Sequence, residues 1–386
     1  MKERSRDRLI LAMLFVLYLI ILPGRYFVYD FEFWTDWALY IHRHGITNIY
    51  DNPTTNYHPG FLYCLYLYDL LMGSEELIVK NINYIKYIPM VFDFLPIVVL
   101  CGFRQRLVEL KIPYLFLLLN IAYMFNSMCW GQVDAIHTNL IFLSLLCAFY
   151  RPYWSVGLFM AAITFKLQAI VFIPILGIIL LYSVRNAKRL ISLAVFGAAL
   201  LALFISPFLL SGNAGKLWYV VTHAVGFYPR VSICAFNLWT LLLHDTYNTM
   251  DYTEFFILSY KQTGLLLFLA SSGLTLLPLL LRIVRHIKEK SPITHDTRQM
   301  LLLAAGMISL YFFYFNTQMH ERYAHPIIIF FFFYGVYSKN YKLYILASIP
   351  YFLSLDKCFP DFLPVYHYKI IWAMKVIAIW YTLTLL

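Results

Sequence analysis

Long apolar runs, separated by short polar or basic segments, extend along the whole chain. A helix needs about 20 apolar residues to cross a bilayer, although several of these runs are shorter. The pattern predicts an all-α polytopic membrane protein with both termini on the same side. The predicted spans are 9–28, 84–102, 112–128, 134–150, 153–165, 168–183, 190–210, 262–281, 299–315, 324–337, 342–355 and 368–386.

One further apolar stretch, 60–73 (GFLYCLYLYDLLMG), decides the topology. As a surface helix it leaves every basic cluster on the inner side, as the positive-inside rule requires, whereas as a span it would separate them. It is also short for a span. We therefore expect one domain, 1–386, with a first external segment over 25–83 that carries interfacial helices and a second large external loop over 211–258. The basic clusters are 1–8, 104–111, 184–189 and 282–290.

Composition agrees with a membrane location. Hydrophobic residues make up 61% of the 386 residues, charged residues 13%, and the mean hydropathy is +0.69. Soluble domains carry about 25% charged residues. The N-terminus is basic but lacks a small-residue cleavage site, which predicts a retained first span. The net charge is +10, and the basic residues that produce it lie in short loops between apolar runs. Their distribution is explained by the orientation of the protein in the bilayer and does not indicate nucleic-acid binding.

Four polar clusters remain that composition does not explain. They are YDFEFWTDW (29–37), CWGQVDAIH (129–137), Lys166 and QMHERYAH (318–325). Each falls at a predicted external end of a span, although they come from distant parts of the chain. The topology therefore predicts that they meet at one face of the membrane.

The acids of the first cluster are candidates for proton transfer. Asp30 follows the first span, and a carboxylate on a helix end that is partly shielded from water suits a general base. A solvated interfacial acid is the simpler interpretation. Glu32 and Asp36 are candidates for the same role or for binding Mg²⁺ or Mn²⁺.

The other clusters supply cations and further acids. His320, Glu321 and Arg322 form either an interfacial salt-bridged group or a functional site, and Arg and His suit a phosphate. Lys166 either snorkels or is a second phosphate ligand. A zinc protease is excluded because position 324 of the HExxH pattern is Ala. Asp134 and His137 lie one turn apart and share a helix face, and Asp93 is a buried acid expected to pack against a helix-end partner.

The motifs, taken in chain order, resemble those of a known family. Asp30 and Trp37 match its first-loop Asp and Trp, GITNIYDNPTTNYHPGFLY is similar to its G…Y…DYPP…Y stretch, and NSMCWGQVDAI matches NSxxWGQVDxI almost letter for letter. FKLQAIVFIPIL resembles its K-x-Q-A…P element and QMHERYAHP its MHERY motif. The chain thus resembles the GT-C fold glycosyltransferases that use polyprenyl-phosphate sugars. It is closest to the bacterial proteins related to the GPI-anchor second mannosyltransferase, and more distantly resembles the dolichyl-phosphate-glucose glucosyltransferases.

The resemblance implies an inverting transfer of a hexose, with mannose favoured, from a polyprenyl phosphate to a hydroxyl of a lipid, glycan or protein acceptor. Asp30 would be the catalytic base, and His320, Arg322 and Lys166 would hold the donor phosphate. This scheme requires no cofactor. The cluster of Asp30, Glu32 and Asp36 leaves binding of a divalent metal as an open alternative. Further substrate-binding candidates are Glu32, Asp36, Trp37, Tyr57, His58, Trp130, Gln132, Asp134, His137 and Glu321.

The chain also departs from the family pattern. Asn56 stands in place of the Asp of DYPP and Gly60 in place of the second Pro, so any role of that acid is in doubt here, and His58 is the candidate to replace part of it. The 211–258 loop matches no motif and is a candidate acceptor-side lid. A bacterial inner membrane with a periplasmic active site is favoured; in a eukaryote the site would face the ER lumen.

Two rival functions are weighed. A transporter or flippase of a lipid-linked saccharide should carry charges near the mid-membrane and inverted repeats, whereas the unusual charges here cluster at one face. An O-antigen-type polymerase should have Arg-rich external loops, and the basic residues of 211–258 are only Lys216 and Arg230.

Overall fold

The computed structural model describes residues 2–22, 24, 28–102, 113–223, 226–357 and 367–385. The predicted basic cluster at 104–111 lies outside these ranges, as does most of the junction that follows the first span. The α-helices are α1 (Lys2–Ile21), α2 (Val28–His44), α3 (Pro59–Met72), α4 (Glu75–Lys80), α5 (Tyr87–Gly102), α6 (Tyr114–Leu118), α7 (Ile121–Met128), α8 (Asp134–Ala148), α9 (Pro152–Phe165), α10 (Ile173–Ser183), α11 (Ala187–Leu210), α12 (Ala214–His223), α13 (Leu238–Leu242), α14 (Tyr260–Lys288), α15 (His295–Phe315), α16 (His325–Ser338), α17 (Lys342–Lys357) and α18 (His367–Leu385).

Short elements complete the fold. Two strand pairs are present in the described ranges: β1 (Ser232–Ile233) runs parallel to β4 (Met319–His320), and β2 (Glu254–Phe255) runs antiparallel to β3 (Leu258–Ser259). The 3₁₀ helices are Ile46–Asp51, Ile82–Lys86, Leu167–Phe172 and Glu321–Ala324.

Several helices have the length and apolar character of membrane spans. Within the described ranges, four are long and apolar enough to cross a bilayer: Ile82–Leu100, Ala187–Leu210, Tyr260–Lys288 and His295–Phe315. Shorter apolar helices occupy Asp134–Ala148, Pro152–Phe165, Leu167–Ser183, Lys342–Leu355 and Met374–Leu385. The predicted all-α membrane class is therefore confirmed at this level.

Some predicted spans contain more than one helical segment; 84–102, for example, begins in the 3₁₀ helix Ile82–Lys86 before α5 starts at Tyr87. The 112–128 segment divides into α6 and α7, because Asn120 caps α7 by accepting from the Tyr123 backbone N–H. The Asn120 amide also donates to the hydroxyls of Tyr344 and Ser348 on α17. The 168–183 segment starts as a 3₁₀ helix and becomes α-helical only at Ile173, where Pro174 suits the first turn.

The helices differ in how deeply they lie within the molecule. α16 is the central helix, with every side chain from His325 to Phe333 buried. α15 packs closely on it at Gly306, where an added Cβ would approach the Phe331 ring to 2.4 Å. By contrast, the spanning windows of α11 and α14 are only 17% and 22% buried, which leaves their leucine-rich faces for lipid.

The first predicted external segment folds into a helical layer of its own. The expected helix at 60–73 is present as α3, and it packs against α2. Their contact is an aromatic cluster in which the Trp34 ring lies 5.0 Å from that of Phe61 and 4.7 Å from that of Phe31. This layer carries the start of α2, and with it Asp30, onto the helical bundle.

Candidate active site

A cavity of about 1470 Å³ opens between the layer formed by α2 and α3, the bundle, and the 211–258 loop. Residues singled out in the sequence line it from segments far apart in the chain. The predicted site residues on its wall are Asp30, Trp37, Tyr57, His58, Trp130, Lys166, His320, Glu321 and Arg322.

Asp30 is held by a hydrogen bond from the turn at 130–132 (Trp-Gly-Gln). Gln132 donates a 2.5 Å hydrogen bond from Nε2 to Asp30 Oδ2. The turn brings Gln132 there because Gly131 adopts φ +63°, and an added Cβ would lie 3.0 Å from the Phe31 ring and 3.2 Å from Lys86 Cγ. Only glycine fits that position without strain. Burial raises the pKa of Asp30 above its ordinary value, while Arg322 and the Gln132 hydrogen bond oppose that rise.

Asp134 organises the two cations of the site. Its Oδ1 accepts from Lys166 Nζ at 2.5 Å, and its Oδ2 lies 3.5 Å from Arg322 Nε. Lys166 Nζ also sits 4.0 Å from the centre of the Tyr323 ring. Asp134 is fully buried, and it begins α8, where the helix dipole favours a negative charge. The carboxylate thus fixes both cations at the cavity wall.

His320 and Glu321 stand beside Arg322. Glu321 Oε1 lies 3.8 Å from Arg322 Nη1, and its Oε2 lies 3.9 Å from His320 Nδ1. Burial raises the pKa of Glu321 to about 7, against the effect of Arg322. Burial, followed by Arg322 and Lys166, lowers the pKa of His320 well below its ordinary value. His320 is therefore neutral at physiological pH and can donate one N–H to a ligand oxygen.

The 52–58 stretch supplies an aromatic and amide wall. Trp37 donates from Nε1 to Thr54 Oγ1 at 2.9 Å, and its ring lies 5.1 Å from that of Tyr57. Burial, and then Lys166, lowers the pKa of His58 to about 4, so this imidazole is also neutral. Rings and neutral donors of this kind suit the faces and hydroxyls of a sugar.

Five predicted residues are not among those that line the cavity. Gln132 and Asp134 lie behind the wall, where they contact Asp30 and the two cations. The other three are Glu32, Asp36 and His137. Glu32 is exposed on the same helix as Asp30, and Asp36 uses Oδ2 to accept from Asn52 and Thr54, which holds the 52–58 stretch in place. His137 is buried in α8, one turn beyond Asp134, and its Nδ1 lies 3.4 Å from the Val133 carbonyl. Within the part of the chain that the structure describes, no three His, Cys, Asp or Glu side chains come together as a metal-binding group.

The 211–258 loop is attached to the segment that carries His320, and this contact was not predicted from the sequence. β1 pairs with β4 so that Ile233 lies opposite His320. Asp251, which is buried, accepts at Oδ2 from Thr317 Oγ1 at 3.1 Å and from Gln318 Nε2 at 2.6 Å. The 211–258 loop is thus fastened to the segment that carries His320 and Arg322. No local sequence signal marks Asp251, because its partners are distant in the chain.

Part of the cavity lining is apolar. These side chains come from the segment that leads into α10 and from α14 and α15, and they include Val171, Pro174, Leu265, Phe268, Leu269, Leu276, Ile308 and Phe312.

The fold and cavity define a helical membrane protein whose cavity is lined by Asp30, by two cations that Asp134 holds and by a group of apolar side chains. Comparison with protein-family models and with curated proteins found no match for this chain.

Proposed function

We propose that the protein is an inverting glycosyltransferase of the GT-C kind with twelve spans. It would transfer a hexose, with mannose favoured by the motif resemblance, from a polyprenyl phosphate to an acceptor hydroxyl at the external membrane face. The observation that carries the proposal is one cavity lined by Asp30, by the cation pair of Lys166 and Arg322 that Asp134 holds, and by a group of apolar side chains.

The charges suit the reaction. The acceptor oxygen attacks the anomeric carbon while the bond from that carbon to the phosphate oxygen breaks. The acceptor proton passes to the Asp30 carboxylate, and the electron pair of the broken bond goes to the phosphate. Lys166, Arg322 and the neutral His320 stabilise the negative charge that develops there, because they are already oriented before the reaction starts. Asp30 has an environment that raises its pKa, which makes its carboxylate a better base.

The shape of the cavity suits a lipid-linked donor. A polyprenyl chain is hydrocarbon and needs apolar side chains to lie against, which α14, α15 and the start of α10 supply in the same cavity as the cations. Another part of the lining, formed by 52–58 and by Lys216, Tyr219 and His223 of α12, is polar and aromatic. That part suits the acceptor, which must approach Asp30 from the side away from the phosphate.

The test uses purified protein in nanodiscs with radiolabelled polyprenyl-phosphate-mannose, polyprenyl-phosphate-glucose and a nucleotide-sugar control. A crude membrane-lipid fraction serves as acceptor. We expect transfer from one lipid donor, nearly abolished in Asp30→Asn because an amide cannot take up the acceptor proton. Glu32→Gln is the matched control, since this acid lies two residues away but outside the cavity. Absence of transfer by the wild type from every lipid donor, or full activity of Asp30→Asn, would overturn the proposal.

A further inference from the structure

A small hairpin precedes α14 and carries two apolar side chains at its tip. Glu254 pairs with Ser259 and Phe255 with Leu258, which leaves Phe256 and Ile257 as the two-residue turn. Phe256 is 88% exposed and Ile257 94% exposed. Exposed apolar pairs of this kind indicate contact with a partner surface.

Turn geometry does not explain the choice of residues. Phe256 adopts φ +63°, a conformation that favours Gly, Asn or Asp at the first position of such a turn. A bulky aromatic residue held there costs on the order of 1–3 kcal/mol. The Phe256 ring lies 4.7 Å from that of Phe255, edge to face, yet most of its surface stays exposed. Backbone preference therefore does not account for an aromatic residue at this tip, and packing uses only a small part of the side chain.

The base of the hairpin is firmly held. The Phe255 ring lies 5.0 Å from that of Tyr260 and 5.7 Å from that of Trp239. Trp239 donates from Nε1 to the Phe315 carbonyl at 2.8 Å, which ties this cluster to the end of α15. Ser259 caps α14 in a reciprocal arrangement with Gln262. The tip therefore projects from a fixed base at the first turn of α14.

The position of that base identifies the partner. α14 has 29 residues and rises about 44 Å at 1.5 Å per residue, whereas the hydrocarbon core is about 30 Å thick. The ends of α14 thus reach the interfaces of the bilayer. Its other end carries the basic residues Arg285 and Lys288 of the inner side. Since an extended residue spans about 3.3 Å, the tip lies within about 10 Å of the outer end.

The lipid-facing surface of α14 continues towards the tip. Leu266, Leu274 and Leu277 are exposed on this helix and are not part of the cavity lining. We propose that Phe256 and Ile257 insert into the interface of the outer leaflet and anchor the 211–258 loop to the membrane. The same loop is fastened to His320 through β1 and Asp251, so the anchor sets the height of the cavity wall relative to the lipid head groups.

The experiment places an environment-sensitive fluorophore on the hairpin tip. Ile257→Cys is made in a Cys234→Ser background, labelled with a nitrobenzoxadiazole probe and reconstituted as the full chain in nanodiscs. Asn248→Cys, at an exposed position of the same loop, and Leu266→Cys, on the exposed face of α14, are the matched controls. Quenching is measured with lipids that carry a nitroxide near the head group, and with aqueous iodide.

We expect blue-shifted emission at position 257, strong quenching by the nitroxide lipid and weak quenching by iodide, as at position 266. Quenching by iodide equal to that at position 248 would place the tip in water and overturn the inference. Protection from both quenchers, together with two copies per nanodisc, would also overturn it by showing that a second copy covers the tip. None of these outcomes depends on the proposed transferase activity.

Discussion

Asp134 accepts a hydrogen bond from Lys166 at 2.5 Å while its second oxygen faces Arg322 at 3.5 Å. One buried carboxylate therefore contacts both cations from behind the cavity wall, while Lys166 and Arg322 themselves line the cavity. Removing this charge should leave Lys166 and Arg322 to repel each other in a medium of low dielectric constant.

We expect Asp134→Asn to unfold more easily, since removing one partner of a buried pair costs about 3–5 kcal/mol. In the fraction that remains folded, the preference for polyprenyl phosphate over the uncharged polyprenol should fall. Thermal unfolding in detergent measures the first effect and competition binding the second. An unchanged preference for the phosphate would show that Asp134 has only a structural role.

Arg322→Ala should reduce transfer by about 10²–10³, the range seen when one preorganised donor to a developing negative charge is removed. Arg322→Lys should recover part of the activity, because it restores the charge without the planar fork of donors. Arg285→Ala is the control, since Arg285 forms an exposed pair with Glu289 at the C-terminal end of α14. Equal kinetics for Arg322→Ala and wild type would show that Arg322 has no role in the transfer and serves only as an interfacial anchor.

Hydropathy and charge predicted the helical membrane class and the helix at 60–73 because both depend on local residue patterns. The distribution of basic loops also predicted that the four polar clusters meet, and all four contribute residues to the lining of one cavity. The membrane face to which that cavity belongs stays a prediction. The break at Asn120 was missed since it depends on Tyr344 and Ser348, which are more than 200 residues away. The same limit applies to Asp251 and to the parallel pairing of β1 with β4. Such contacts are set by tertiary packing and leave no periodic signal in the chain.

The pH dependence of stability should report on Glu321. Its pKa in the folded protein is raised to about 7 from 4.5, so the folded state binds a proton that the unfolded state releases between these values. The contribution of Glu321 to the free energy of unfolding is therefore fully present below pH 4.5 and is lost as the pH rises to about 7. The loss is roughly 3 kcal/mol, at 1.36 kcal/mol per pKa unit. Glu321→Gln should remove this fall in melting temperature, whereas Glu75→Gln, at an exposed pair, should keep it. A pH profile shared by wild type and Glu321→Gln would contradict the assignment.

The transfer rate should depend on pH through Asp30. The base must be ionised, and a raised pKa moves the acidic limb of the rate profile to a higher pH than an ordinary carboxylate gives. Gln132→Ala removes the hydrogen bond that opposes this rise, so the acidic limb should move to still higher pH. The measurement is kcat/KM for the lipid donor between pH 4 and 9. A limb that moves to lower pH, or does not move, would assign the base to another group.

Thiol labelling tests the topology from both sides of the membrane. Cys234 is exposed and lines the cavity, so a membrane-impermeant maleimide should label it in intact cells, and polyprenyl phosphate should slow that reaction. Cys234→Ser provides the background for this signal. A cysteine introduced into 282–290 of the Cys234→Ser protein should react only after permeabilisation, because the positive-inside rule places this basic segment in the cytoplasm. Labelling of 282–290 from outside would invert the predicted orientation, and the cavity that holds Asp30 and Arg322 would then have to receive its donor from the cytoplasmic leaflet.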